Sequence, residues 1–164
     1  AGVTTFAEGR LLDDDGAALL RFDNGASGML VATQVACGEE NNLTLRIYGE
    51  KGGLEWAQME PNSLYLKWGD RPMEVVRVGN AYMGEAAKAN TRGPGGHPEG
   101  FIEAFANIYA NFARAVLARR NGVEPELQWL DFPGIGDGLR GMQFIETVIT
   151  SGQDDFHKWT PWIE

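Results

Sequence analysis

Between residues 16 and 78 the chain alternates short apolar runs with dense turn chemistry, and no link between successive runs could hold a crossover helix. A parallel connection needs about a dozen residues or more, so these runs predict a largely antiparallel sheet built from hairpins. Residues 17–22 lead into Asp23-Asn24-Gly25, which suits the positive backbone torsions of a tight hairpin, and residues 28–36 return from it. Further strands are expected over 43–48, 54–58, 64–68 and 73–78, punctuated by the glycine-rich 49–53, by Glu60-Pro61-Asn62 and by Gly69-Asp70-Arg71-Pro72. Strand-like sequence also opens the chain, at Val3-Thr4-Thr5-Phe6.

Because side chains alternate across a strand, one face of this sheet collects Leu43, Leu45, Ile47, Leu54, Trp56, Leu64, Leu66 and Trp68. That set is core-forming, and helices are expected to cover it. The opposite set, Thr44, Arg46, Tyr48, Glu55, Ala57, Tyr65 and Lys67, mixes small, aromatic and charged groups. It reads either as an ordinary wet face or as one that packs against another subunit.

The second half of the chain is helical in pattern. Over residues 98–120, Phe101, Phe105, Ile108, Tyr109, Phe112 and Val116 recur at three- and four-residue steps and form one apolar stripe. Pro98 suits a first helical position, Glu99 complements the positive end of the helix dipole, Arg119 and Arg120 complement the negative end, and Gly122 can terminate it. A second helix over about 137–151 presents Leu139, Met142, Ile145 and Ile149, and the tail with Trp159 and Trp162 is expected to fold back onto the body. The fold class is therefore α+β, an open, mostly antiparallel β-sheet with helices packed on one face, in a single domain over 1–164.

Composition narrows the partners. With 14 basic against 23 acidic residues, the net charge of −9 repels a phosphate backbone, so no nucleic acid is expected. No apolar run approaches the roughly 20 residues that span a bilayer, and the first ten residues lack a basic-then-apolar signal pattern. No membrane partner is expected. A single cysteine, Cys37, rules out an intrachain disulfide framework and suits a reducing compartment, so a cytoplasmic location is expected. Two histidines, His97 and His157, and that one cysteine are too few for a zinc cluster, and Asp13-Asp14-Asp15 reads as a solvated turn. No metal site is expected.

Gly136-Asp137-Gly138-Leu139-Arg140-Gly141 spells the G-x-G-x-x-G of a dinucleotide-binding turn. The chemistry also needs a preceding buried parallel strand and a second strand with an acidic end, yet only 23 residues follow Gly141. These residues read instead as a loop and helix N-cap. The richer segment is 92–112, where a glycine-rich loop delivers His97 to the start of the aromatic-striped helix. Helix-start N–H groups favour anions and a neutral imidazole, so His97 can hydrogen-bond a substrate hydroxyl. Arg92, five residues earlier, can engage an oxygen-rich ligand or phosphate while the glycines let backbone approach closely. On residue chemistry alone, the rival reading stays open: His97 caps the helix and Arg92 pairs with a surface carboxylate.

The order of four segments, residues 13–34 (DDDGAALLRFDNGASGMLVATQ), 43–56 (LTLRIYGEKGGLEW), 96–109 (GHPEGFIEAFANIY) and 137–148 (DGLRGMQFIETV), resembles the C-terminal domain of the Gfo/Idh/MocA family of NAD(P)-dependent oxidoreductases. The resemblance covers nearly the whole chain. It implies a substrate-binding and oligomerisation domain of an enzyme acting on a sugar, polyol or related hydroxylated compound, with self-association through the sheet face. It also implies that NAD or NADP binds an N-terminal Rossmann domain absent from this chain, which alone is expected to bind neither and to be inactive. The family's catalytic lysine lies in a Glu-Lys-Pro motif, and Glu50-Lys51 is followed here by Gly52. An Asp-x-x-x-His pair is also missing, so no catalytic residue is assigned, and both absences favour a chain cut from a longer polypeptide over simple loss of an initiator before Ala1. His97 and Arg92 become the expected substrate-binding residues. The competing expectation is a stand-alone, non-catalytic interaction module that uses the open sheet face.

Overall fold

The computed structural model of the chain describes residues 1–153 and 159–162. They belong to two compact units, one of residues 1–39 with the described part of 133–164, the other of residues 40–132.

In the first unit, β1 (Gly2–Thr4), β2 (Asp15–Arg21) and β3 (Ser27–Thr33) form an antiparallel sheet in that order. Arg21 pairs with Ser27, and Phe22 N–H closes the hairpin on Ala26 O at 2.9 Å. Of the three turn residues only Gly25 has positive φ, +86°, so the turn is a three-residue loop with one left-handed glycine. The helix of this unit runs over Ile135–Gln153 and packs beside β1. The tail returns to the same unit as expected: the Arg21 guanidinium lies 3.8 Å from the Trp159 ring centroid, and Trp162 meets Phe144 edge-on at 6.2 Å.

The second unit holds β4 (Thr44–Tyr48), β5 (Gly53–Ala57), β6 (Ser63–Lys67) and β7 (Glu74–Arg77), an antiparallel meander in sequence order. Its register places Leu45 opposite Trp56, Ile47 opposite Leu54 and Leu54 opposite Leu66, which gathers the apolar face the alternation predicted. On the other face Glu55 takes ion pairs from Arg46, at 3.6 Å, and from Lys67. After the sheet come a short helix α1 (Glu85–Ala89), the long helix α2 (Phe101–Arg120) and a 3-10 turn at Leu127–Leu130; the Ile135–Gln153 helix is therefore α3.

Two expectations change here. Helices were expected to cover the apolar sheet face, yet Leu45 and Ile47 on the edge strand β4 stay 54% and 50% exposed, whereas Trp56, Leu64 and Leu66 on the two central strands are half-buried. An edge strand has a neighbour on one side only, so its side chains depend on cover from elsewhere. Second, α2 buries Asn111, Ala115 and Ala118 within its unit, while the aromatic stripe remains exposed. Small side chains allow close packing of the helix, and the stripe instead pairs locally, Phe101 on Phe105 at 4.6 Å and Phe112 edge-on to Phe132 at 5.5 Å.

Candidate functional site

The segment 92–100 joins α1 to α2 and is fixed by contacts at three places. Glu99 is bound through both backbone groups by the Asn62 side chain: Asn62 Nδ2 donates to Glu99 O at 2.8 Å, and Glu99 N–H donates to Asn62 Oδ1 at 2.9 Å. Glu99 Oε1 in turn accepts two successive backbone N–H groups, from Arg92 at 2.7 Å and Gly93 at 2.5 Å. Farther along, Gly95 N–H donates to Gly79 O at 2.8 Å. Gly79 has φ +80°, and a Cβ there would stand 2.6 Å from Gly95 N, so both torsion and contact require glycine.

This arrangement moves the start of the helix. Residues 98–100 were expected inside it, but α2 begins at Phe101 because the backbone groups of Glu99 are already committed to Asn62. Glu103 supplies the cap, its Oε2 accepting Gly100 N–H at 2.8 Å. That bond, helped by the nearby Arg92 charge, lowers the Glu103 carboxyl below its ordinary value. His97 therefore does not cap the helix. It is exposed, with Nδ1 3.2 Å from Pro94 O. A carbonyl only accepts, so this bond assigns the proton to Nδ1 and leaves the Nε2 lone pair of the neutral ring available.

Arg92 also departs from the rival sequence reading. Its Nε donates to Asn107 Oδ1 at 3.0 Å, and Asn107 is oriented by its own Nδ2 bond to Asn90 O at 2.6 Å. Among the described residues Arg92 makes no ion pair, and its two terminal guanidinium nitrogens carry no hydrogen bond. Those nitrogens can bind paired oxygens, and His97 Nε2 can accept a hydroxyl proton in a hydrogen bond. Sequence reading placed Arg92 and His97 on this loop but missed Asn62, Glu99 as a loop brace, and Asn107. For Asn107 the available signal was its place on the polar side of a helix otherwise striped with aromatics.

A cavity of about 200 Å³ lies in the first unit, lined by Ala18, Leu30, Phe144, Ile145 and Val148 together with Asp14. Its character is apolar, and Asp14 is already saturated by Phe6 and Ala7 N–H at 2.8 and 2.9 Å. Asp13, Asp15, Thr33 and Gln34 supply the rest of its polar lining. The glycines of the 136–141 motif lie inside α3, which starts at Ile135, two residues before the expected N-cap. Asp137 Oδ2 accepts Gly134 N–H at 2.8 Å, so the side chain satisfies the helix start from within the first turn. Glycines wound into a helix cannot form the turn that cradles a pyrophosphate, so these residues do not fit a dinucleotide.

Comparison with known proteins agrees with this architecture. Residues 1–55 match the family model described as the GFO/IDH/MocA C-terminal domain. The uncharacterized oxidoreductase YfiI of Bacillus subtilis (strain 168) is 31% identical over 153 residues, 93% of this chain, and the chain spans 38% of that relative. An oxidoreductase from Sinorhizobium meliloti superposes with a TM-score of 0.86 at 41% identity, covering 94% of this chain and 43% of its own. An inositol dehydrogenase homolog from Azotobacter vinelandii, solved with NADH and myo-inositol, superposes with a TM-score of 0.84 at 29% identity over 93% of this chain and 40% of its own. Matched over nearly its whole length by these oxidoreductases, the chain belongs to the GFO/IDH/MocA family and corresponds to its C-terminal domain.

Proposed function

We propose that this chain is the substrate-binding and oligomerisation domain of an NAD(P)-dependent oxidoreductase acting on a sugar, polyol or related hydroxylated compound. The observation that carries the reading is the likeness of 93% of the chain to a protein that holds NADH and myo-inositol. The nicotinamide supplies hydride transfer when bound, and its binding domain lies outside this chain. This chain's share is to bind and orient substrate. Arg92 directs its terminal nitrogens at neighbouring substrate oxygens, and His97 Nε2 accepts a hydrogen bond from a hydroxyl, holding the carbinol carbon in line for transfer. The isolated chain binds no cofactor and is inactive. Self-association uses the sheet face that carries Arg46, Tyr48, Glu55 and Lys67.

The test is made in the full-length protein with NAD+ or NADP+ and myo-inositol. Arg92→Ala and His97→Ala are each expected to raise KM about 10-fold or more, the scale of a lost hydrogen bond to a charged or oriented group. Cofactor affinity, read by fluorescence quenching, stays unchanged. Wild-type kinetics in both variants would remove the two residues from the site, and absence of turnover with any polyol would remove the substrate class.

A further inference from the structure

We propose that Glu99 is a positioning residue, whose carboxylate holds the Arg92-Gly93 backbone in the shape that presents Arg92 and His97 to a polyol; this rests on the function proposed above. Glu99 precedes the helix and is half-buried. Its backbone is gripped on both sides by Asn62, which fixes the direction of its side chain. One oxygen, Oε1, then receives two consecutive N–H groups. Consecutive amides converge on one acceptor only when the backbone curls around it, as in anion-binding nests. Here the anion is built into the chain.

The curl decides where the side chains go. With its N–H turned toward Glu99, Arg92 sends its side chain to Asn107, and the Asn107 amide is itself held by Asn90 O. Residues 94–98 are exposed. Contacts with Glu99, Asn62 and Gly79 thus order a glycine-rich surface loop that buries little, and among the described residues the terminal nitrogens of Arg92 and Nε2 of His97 carry no hydrogen bond. A loop ordered before binding presents such groups without the entropic cost of arranging them on encounter. Removing the Glu99 carboxylate should loosen the backbone at residues 92 and 93 and leave α2 intact, since that helix takes its cap from Glu103.

Hydrogen exchange read by mass spectrometry, with steady-state kinetics on NAD+ and myo-inositol, tests this in full-length Glu99→Ala and Glu99→Gln proteins. The Ala variant is expected to speed exchange at the Arg92 and Gly93 amides about 10-fold or more, with α2 protection unchanged. KM for myo-inositol should rise about 10-fold while kcat stays within about twofold. The Gln variant keeps a carbonyl acceptor and should recover most of both effects. Unchanged exchange in the Ala variant overturns the brace and leaves the function reading standing. Faster exchange with unchanged KM overturns the positioning role, as does a general loss of α2 protection. Wild-type protein that oxidises no polyol overturns the function reading and the substrate clause together, and exchange alone then decides the brace.

Discussion

Asp14 and Gly79 are both tightly constrained by their surroundings. The Asp14 carboxylate is held below its ordinary value of 3.8, first by the N–H groups of Phe6 and Ala7 and then by the charge of Arg10 at 3.6 Å. A depressed carboxylate contributes stability above its unfolded value and loses it as pH falls through the folded value. Urea midpoints of the wild-type protein should therefore drop on acidification below about pH 4, the unfolded carboxylate range. Asp14→Asn should lower the midpoint at neutral pH and flatten that acid slope. Gly79→Ala meets two obstacles, a left-handed torsion and the Gly95 backbone, and should cost at least about 1–2 kcal/mol in the same measurement. The loop that bears Arg92 and His97 was legible because glycines and a proline announce it. Asn62 was not, because its partner Glu99 lies 37 residues away and ordinary asparagines in turns look alike.

At the scale of elements, alternation and turn chemistry located every strand of the second unit to within a residue or two, since a period of two is local and hairpin turns leave few choices. Helix α2 was found as well, but its inward face was not. Periodicity identifies a stripe without saying which neighbour it meets, and here Asn111, Ala115 and Ala118 turn inward within the unit. The local consequence is that Phe112 and Phe132 form an edge-to-face pair linking α2 to the segment after the 3-10 turn. A double-mutant cycle on Phe112→Ala and Phe132→Ala should return a coupling of about 0.5–1.5 kcal/mol by urea denaturation. Additive effects would mean that the two rings do not interact in solution.

For the whole molecule, chain order and spatial grouping differ. Residues 40–132 form one compact unit, and the unit that holds the first three strands is completed by a helix from beyond residue 133. The proposed association belongs to this scale, where Tyr48 at 74% exposure stands beside the Arg46–Glu55 ion pair. Tyr48→Asp should weaken self-association about 10-fold or more in sedimentation velocity, because an aromatic anchor is exchanged for an extra charge in a desolvated contact. An unchanged distribution would move the interface elsewhere.

By itself the sequence determined the α+β class, the antiparallel pairing, the helices and the loop that bears Arg92 and His97, because each depends on periodicity or on turn residues close together in the chain. Tertiary structure alone decided that α2 starts at Phe101, that Asn107 aims Arg92 and that Glu99 gathers two amides. Those outcomes come from hydrogen bonds spanning 6 to 37 residues, and such bonds exist only after folding brings the partners together.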